Sequence, residues 1–243
     1  MLNNRSSPNI YLVEFFLKFF LLKFFEMYLC CWSGGKDSCL ALYYALRQGR
    51  RIRYLINFIS KKYRRVSFHG TEAQLIHLQA EALGIELVQK ETSGYDYEQV
   101  FKSTVTKLLS KEIKGIIFGD IYLEEHRSWA ERVCAELGIK ALEPLWKINP
   151  KQVYLDFLKQ GFSAIVMSAD AKLIDPIWVG RPLDDDFLSY LESRGIDPCG
   201  ENGEYHTLVI DGPIFSRPIK ILKTRTIQRD GRWFLDTVEY RLG

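Results

Sequence analysis

The sequence predicts an α/β fold, with a doubly wound, mainly parallel sheet followed by a small C-terminal α+β domain. From Met27, short apolar strands alternate with amphipathic helices, which is typical of a parallel sheet covered on both faces. After about residue 170 this rhythm changes, and the chain ends in two long strand-like runs around Asp230-Gly231. We therefore expect domains over residues 27–170 and 171–243, preceded by an N-terminal extension over residues 1–26.

The composition is that of an ordinary soluble chain. The 243 residues are 47% hydrophobic, which is enough for one sizeable core. The net charge of +3 is too small to indicate a nucleic-acid-binding protein, and we expect the short basic run at residues 61–65 to be a solvated loop. The five cysteines are irregularly spaced without a CxxC pair, which favours free thiols in a reducing cytoplasm over a zinc or iron–sulfur framework.

The first 26 residues differ from the rest of the chain. They are rich in Phe and Leu but carry Glu14, Lys18, Lys23 and Glu26, whereas a membrane span needs about 20 nearly uncharged residues. No small-residue cleavage site of a signal peptide follows them. We expect a mis-assigned upstream start, with Met27 as the true start, or a loosely attached amphipathic segment, rather than a membrane anchor.

Up to Asp120 the sequence predicts strands alternating with helices. "YLCCW" predicts a strand, and apolar residues then recur at helical spacing over residues 39–46 before the stop at Gly49. "RYLINFI" and "IELVQKE" predict strands on either side of the helix "TEAQLIHLQAEALG", where Thr71 and Gln74 have the spacing of a capping box. "YEQVFKSTVTKLLSKEIKG" predicts a helix, and "GIIFGD" predicts a strand that ends at Asp120.

The second half continues the alternation and then leaves it. Apolar residues on one face predict a helix over residues 130–137, and "PKQVYLDFLKQG" predicts another. "SAIVMS" predicts a last strand of the parallel sheet. In the tail we expect a helix at "DDDFLSYLESRG", a polar loop at "IDPCGENGEYHT" and a type I′ hairpin turn at Asp230-Gly231.

The turn after the first strand is the main candidate for a functional site. It reads Ser33, Gly34, Gly35, Lys36, Asp37, Ser38, and it opens a helix whose unpaired N–H groups attract anions. Glycines allow close approach of the backbone, the lysine adds a charge, and the serines add hydroxyl donors. The pattern is neither the Walker loop GxxxxGK[ST] nor the dinucleotide fingerprint GxGxxG. It predicts a polyphosphate site, with a plain capped turn as the alternative.

Two further polar segments are candidates. Gly119 and Asp120 follow a predicted strand and should face the same ligand, since ligands bind at the carboxyl ends of parallel strands. Glu124 and His126 come next, either as site residues or as a solvated first helical turn. The segment from residue 201 to residue 206 is either a connection or a site for an ammonium, an amine or a metal; its polar members are Glu201, Asn202, Glu204 and His206. His69 and His77 show no ligand spacing, which disfavours zinc.

The phosphate-type turn matches the SGGxDS motif of the PP-loop ATP pyrophosphatases. From Met27 onward the chain resembles the diphthine–ammonia ligase family, an adenine nucleotide alpha hydrolase-like family. This resemblance rests on "FGDIYLEEHRSWAERVCAELG", "EPLW", "GFSAIVMSA", "WVGRPLD" and above all "DPCGENGEYHT". It implies a Rossmann-like HUP/PP-loop fold and a cytoplasmic enzyme, and residues 1–26 lie outside it.

The resemblance also implies a reaction. ATP adenylates a carboxylate with release of pyrophosphate, and ammonia then displaces AMP to leave an amide, as in the conversion of diphthine to diphthamide. ATP would be bound by residues 33–38 with Gly119 and Asp120, and Mg²⁺ by Asp37 if that residue is not simply a helix cap. The implied substrate-binding residues are Glu124, His126, Glu201, Asn202, Glu204 and His206. The implied catalytic residues are Lys36, Asp120, Glu204 and His206.

The resemblance bears on partners as well. The family's acceptor is a modified histidine of elongation factor 2 in archaea and eukaryotes, and a bacterial source would leave the acceptor open. We expect no nucleic acid and no membrane as partners, and a homo-oligomer is compatible with the sequence. Two alternatives stay open. A tRNA thiolase would need a reactive cysteine such as Cys199, against which the missing CxxC and RNA-binding extension count. A non-catalytic nucleotide sensor would not need the polar loop at residues 201–206.

Overall fold

The computed structural model describes residues 26–66, 69–110 and 112–243. These residues form six α-helices and nine strands, and the strands are arranged in two sheets. Apart from Glu26, the expected N-terminal extension lies outside the described residues. No helix in the described part of the chain is both long and apolar enough to cross a membrane.

The first sheet has five parallel strands in the order β3-β2-β1-β4-β5. They are β1 Met27–Cys31, β2 Arg51–Ser60, β3 Glu86–Thr92, β4 Ile113–Ile117 and β5 Lys140–Leu142. The strand order runs outward in both directions from β1, so the direction of winding reverses between β1 and β4. Ligands of such sheets bind at this switch point, outside the carboxyl ends of the strands. The predicted doubly wound parallel sheet is confirmed.

Five α-helices connect or follow these strands. They are α1 Lys36–Arg47, α2 Ala73–Leu83, α3 Tyr97–Leu108, α4 Glu124–Glu136 and α5 Pro150–Lys159. Helix α2 ends as predicted at Gly84, which has a left-handed φ of 65°. Helix α3 ends seven residues earlier than expected, because the chain from Ile113 onward pairs with β1 instead.

The predicted capping box at Thr71 is wrong. Helix α2 is preceded by Glu72, which makes no side-chain cap, and the Thr71 hydroxyl is buried without a hydrogen-bond partner. The Thr71 carbonyl accepts the N–H of Val66 at 2.7 Å. This backbone contact holds Thr71 in the preceding connection and away from the capping position.

The second sheet is antiparallel, with the order β7-β6-β9-β8. Its strands are β6 Ser163–Asp170, β7 Tyr205–Asp211, β8 Ile219–Arg229 and β9 Arg232–Leu242. A 3-10 helix, Pro176–Trp178, and α6, Asp185–Ser193, lie between β6 and β7. We placed β6 in the parallel sheet, and that placement is wrong. A run of buried residues indicates a strand covered on both faces, but it does not indicate which strands pair with it. The chain passes from the first sheet to the second between β5 and β6. The division of the chain at residue 170 stays a prediction.

The hairpin prediction is confirmed. Asp230 and Gly231 both have positive φ, 49° and 75°, as a type I′ turn requires, and Arg229 pairs with Arg232 across it. One cluster of buried apolar side chains extends from α1 through β6 and β7 to β9. The two sheets therefore share a core, which places β7 beside the turn that follows β1.

Candidate functional site at the carboxyl ends of β1 and β4

One buried amide side chain, that of Gln79, fixes the turn after β1 by hydrogen bonds. Gln79 of α2 accepts a hydrogen bond from the Trp32 indole at 2.9 Å. Its amide nitrogen donates to the carbonyls of Gly34 at 2.9 Å and Val209 at 2.7 Å. The carbonyl of Gly34 also accepts the N–H of Val209 at 2.9 Å. The turn is therefore fixed to α2 on one side and to β7 on the other.

Two glycines permit close contacts at this turn. Gly34 has a φ of 83°, and a Cβ there would lie 2.5 Å from the Ile76 side chain. A Cβ on Gly119 would lie 2.8 Å from the backbone nitrogen of Ser38. The end of β4 thus contacts the start of α1 with no room for a side chain, and this contact brings Asp120 to the turn.

Hydroxyl groups organise the start of α1. The Lys36 backbone N–H donates to Thr207 Oγ1 at 3.0 Å, and the Gly35 N–H donates to Ser33 Oγ at 3.3 Å. Ser38 Oγ donates to the Gly35 carbonyl at 3.1 Å and lies 3.1 Å from Ser33 Oγ. Because these side chains fix the backbone, the helix N-terminus is preorganised towards the cavity above it.

Lys36 is a buried charge that joins the two parts of the molecule. Only 3% of the residue is exposed, and its ammonium donates to Asp37 Oδ2 at 2.8 Å and to the carbonyl of Cys199. The ammonium also lies 5.1 Å from the centroid of the Tyr205 ring. Burial is the largest effect and lowers the pKa of Lys36, but Asp37, Cys199 and Glu201 together outweigh burial and hold the pKa above its usual value. Lys36 therefore stays charged.

Carboxyl groups surround this ammonium. Burial raises the pKa of Asp37 despite Lys36, and Asp37 Oδ1 is buried without a partner. Glu201 Oε2 accepts the N–H of Ile121 at 3.2 Å, and burial and Asp37 raise the pKa of Glu201 to about 8. Asp120 adds to the negative charge felt by both carboxyls. Within the described ranges no group of three or more His, Cys, Asp or Glu side chains forms a metal cage.

The residues after β4 meet each other at the rim. The Asp120 carboxylate lies 3.0 Å from His126 Nδ1, and this hydrogen bond raises the pKa of His126. Glu124 is exposed on the first turn of α4. It is not among the cavity-lining residues, which matches the alternative of a solvated turn.

The second polar loop is folded around Asp197, a residue that our sequence analysis missed. The Asp197 carboxylate accepts the N–H groups of Cys199 and Glu201, both at 3.0 Å, and the Tyr122 hydroxyl at 2.7 Å. Asn202 donates to the same hydroxyl at 3.1 Å. An aspartate that accepts backbone N–H groups in this way determines the shape of the loop. The sequence signal is its position directly before Pro198-Cys199-Gly200.

The Cys199 thiol is a packed group. The residue is 2% exposed, its thiol donates to the Pro150 carbonyl at 3.2 Å, and burial raises the pKa of the thiol. A nucleophilic cysteine needs a lowered pKa and access to solvent. The Cys199 backbone carbonyl, which binds Lys36, is the part of this residue that organises the site.

One cavity of about 710 Å³ brings the predicted segments together. Its lining includes most of the predicted side chains: Ser33, Lys36, Asp37, Ser38, Gly119, Asp120, His126, Glu201, Asn202 and His206. Gly34 and Gly35 support the turn, whereas Glu204 is outside the lining and receives a hydrogen bond from Asn202 at 3.2 Å. The PP-loop-like turn and the second polar loop therefore form a single site.

Several lining residues are not predicted by the sequence patterns, among them His69, Asp170, Thr207 and Arg232. His69 follows the basic run that we took as a solvated loop, and Arg232 directly follows the hairpin turn. Thr207 could have been predicted as a site residue from its position next to His206. His69, Asp170 and Arg232 lie on distant elements, and no sequence pattern connects them with the site.

The chain was compared with known proteins. Residues 27–141 match the family described as the diphthamide synthase N-terminal domain, and residues 149–241 match its C-terminal domain. A protein of Homo sapiens named diphthine–ammonia ligase is 29% identical, with 77% of this chain and 79% of that protein covered. A protein of the same name from Bos taurus is 28% identical, with the same two coverages. A solved structure of a predicted tRNA methyltransferase subunit from Methanocaldococcus jannaschii is 17% identical with a TM-score of 0.43, covering 77% of this chain and 97% of that one.

Proposed function

The chain belongs to the diphthamide synthase family, and we propose that it is an ATP-dependent ligase that converts a carboxylate of its acceptor into an amide with ammonia, releasing AMP and pyrophosphate. Its acceptor is the diphthine residue of elongation factor 2. One observation carries the proposal. The phosphate-type turn after β1 and the acidic loop around Glu201 line the same cavity and are joined through Lys36.

We place the terminal phosphates of ATP at residues 33–38. The start of α1 lies there, with the Gly35 and Lys36 N–H groups held by Ser33 and Thr207, and the Lys36 ammonium is fixed in place by Asp37 and Cys199. Donors that are already oriented stabilise the charge that builds on departing pyrophosphate without further reorganisation. We place the adenine in the adjoining recess, which is lined by Trp32, Ile56 and Phe58 and shares Cys31, Ser33 and His69 with the main cavity.

The residues at the turn fit a magnesium ion that enters with ATP. Asp37 Oδ1 is buried without a partner and would hold the ion, with phosphate oxygens and water as further ligands. When bound, the ion neutralises charge on the phosphates. The absence of a cage among the described residues agrees with this, because Mg²⁺ needs few protein carboxylates.

Two bonds are exchanged in the reaction. An oxygen of the acceptor carboxylate bonds to the α-phosphorus while the bond to pyrophosphate breaks. The nitrogen of ammonia then bonds to the acyl carbon, AMP leaves, and the nitrogen loses a proton. We assign that proton to Glu201, since a carboxyl with a pKa of about 8 is suited to proton transfer near neutral pH. Asp120 would hold the ammonium, which releases a first proton to water before the resulting ammonia attacks.

Product analysis tests the function. The protein is incubated with ATP, Mg²⁺, ammonium and elongation factor 2 carrying diphthine. We expect AMP and pyrophosphate in equal amounts, and the mass change of a carboxyl-to-amide conversion in the acceptor. ADP as the main product, or AMP formation without any change in the acceptor, would contradict the proposal.

The thiolase alternative is tested by Cys199→Ser. The serine hydroxyl retains a donor to the Pro150 carbonyl, and the buried thiol has no part in the proposed chemistry. We expect amide formation within about threefold of the wild type. A loss of a hundredfold or more, ~2.7 kcal/mol of barrier, in a folded variant would favour a cysteine nucleophile.

A further inference from the structure

Arg232 lines the cavity, and part of the hydrogen-bonding capacity of its guanidinium is unused. Arg232 Nη1 donates to the Gly203 carbonyl at 2.7 Å. The Nε and Nη2 atoms are buried without a hydrogen-bond partner. These two nitrogens form the side-on edge of a guanidinium, which presents parallel N–H groups to a carboxylate or a phosphate. Buried donors without acceptors destabilise the protein until a ligand supplies the acceptors.

Two stacked imidazoles continue the same wall. The rings of His69 and His206 have centroids 4.3 Å apart and an interplanar angle of 31°. His69 Nδ1 is buried without a partner. Burial, with the charges of Lys36 and Arg232, lowers the pKa of His69 to about 4, and burial lowers the pKa of His206 as well. Both rings are neutral near pH 7. Lys36 and Arg232 act on both rings, while the negative charges of Asp170 and Glu204 act on Arg232 without a hydrogen bond to its Nε and Nη2 atoms.

The position of this wall identifies the anion. His69 contacts the phosphate turn, since a Cβ on Gly35 would lie 3.2 Å from the His69 ring. Arg232 is the first residue of β9, directly after the exposed tip of the β8–β9 hairpin. The wall is thus next to bound phosphate on one side and near the protein surface on the other. A side chain of a protein acceptor can reach it while ATP occupies the turn.

We propose that Arg232, His69 and His206 form a subsite that binds the carboxylate of the acceptor side chain, with Arg232 as its bidentate partner. This inference rests on the proposed ligase function and assigns the substrate group that this wall recognises. Arg232 holds one carboxylate oxygen towards the α-phosphorus and excludes acceptors that lack the negative charge. The N–H of neutral His69 is bound by the Thr207 backbone. The two neutral imidazoles therefore line the subsite without adding a positive charge that competes with Lys36 for the phosphates.

The test compares Arg232→Gln with Arg229→Gln. Arg229 pairs with Arg232 across the hairpin but places its guanidinium over the Tyr63 ring, 5.0 Å from its centroid, so it is the matched control. For Arg232→Gln we expect the KM for diphthine-bearing elongation factor 2 to rise roughly ten- to a hundredfold, with ATP affinity by calorimetry within about twofold. The KM of Arg232→Lys should lie between those of the wild type and Arg232→Gln. The KM of Arg229→Gln should match that of the wild type.

Two results would overturn the assignment. An unchanged KM in folded Arg232→Gln would remove the carboxylate contact, and an equal loss of ATP affinity would assign Arg232 to the phosphates. A second measurement is independent of turnover. In protein saturated with ATP and Mg²⁺, titration with acetate should shift the NMR signal of the Arg232 Nε–H group. If wild-type protein forms no AMP with the acceptor, the proposed function fails, while the acetate titration still decides whether this wall binds carboxylates.

Discussion

At the scale of single residues, the site is organised by one buried cation among several carboxyls. Lys36 is almost inaccessible, and its ammonium binds Asp37 and the Cys199 carbonyl. Its charge has two consequences. In the proposed function it stabilises phosphate bound near the turn. It also compensates the carboxyls of Asp37 and Glu201, which would otherwise repel each other. Changes at Lys36 should therefore affect both turnover and stability.

We predict that Lys36→Ala slows AMP formation and lowers the thermal midpoint. A charge-assisted contact contributes ~1.5–3 kcal/mol, so turnover should fall roughly ten- to more than a hundredfold. The midpoint falls because Asp37 remains buried without its partner. Lys61→Ala is the control, since Lys61 pairs with Asp96 at the exposed surface, 3.2 Å away, where such pairs contribute little. Wild-type turnover in folded Lys36→Ala would exclude Lys36 from phosphate binding.

Glu201 gives a prediction on pH. Its pKa is raised from 4.5 to about 8 in the folded protein, so the folded state retains a proton that the unfolded chain releases at lower pH. The stabilising contribution is complete below the unfolded pKa and is lost as pH rises through the folded pKa. Glu201→Gln should therefore gain stability relative to the wild type as pH increases from about 5 to 9, measured by urea unfolding without nucleotide. Glu192→Gln, at a surface pair with Lys151, should show no such trend, and a parallel pH profile for Glu201→Gln would contradict the raised pKa.

At the scale of elements, the site depends on how closely β4 approaches α1. The backbone at Gly119 touches the backbone at Ser38, and this contact aligns the end of β4 with the phosphate turn. Gly115, which lies within β4, touches β5, and a Cβ there would lie 2.5 Å from the Lys140 carbonyl. The two glycines have similar steric surroundings, but only Gly119 is at the cavity.

We predict that Gly119→Ala and Gly115→Ala both destabilise the protein, by ~1–3 kcal/mol as expected for overpacking. Only Gly119→Ala should weaken ATP binding, because its methyl group displaces the start of α1 from the phosphates. Calorimetric ATP affinities at a temperature where both variants are folded separate the two effects. Equal ATP affinities would show that the turn tolerates movement of β4.

At the scale of the whole molecule, the two sheets form one unit around the cavity. Buried side chains from both sheets form one cluster, while a second cluster lies within the first sheet and its helices. Strand β7 binds the phosphate turn through Thr207 and Val209. The phosphate turn therefore needs the second sheet for its own geometry. It follows that neither sheet should unfold alone.

We predict a single cooperative unfolding transition that ATP and Mg²⁺ shift as a whole. A ligand that binds only the folded state stabilises it by RT ln(1 + [L]/Kd), and a shared core transmits this to both sheets. Amide hydrogen exchange is the measurement, with strands β2 and β9 as reporters. Their slowest amides should gain equal protection on addition of nucleotide. Protection gained by β2 alone, or two separate thermal transitions, would show that the sheets unfold independently.

The sequence by itself determined the local features. Glycines, lysine and serines between a strand and a helix predict the phosphate turn because each residue type acts where it stands. The Asp230-Gly231 hairpin and the stop at Gly84 are also local, since both need only a left-handed backbone. The function followed from the same local segments through their resemblance to a family.

The tertiary structure decided which distant residues meet. Hydrophobic pattern fixes the burial of β6 but not its partners, so its place in the antiparallel sheet was not predictable from periodicity. Arg232 and His69 reach the cavity through the pairing of β9 with β6 and the contact with Gly35, which join residues far apart in the chain. The raised pKa of Glu201 likewise arises from burial and from Asp37, and both exist only once the two sheets have packed together.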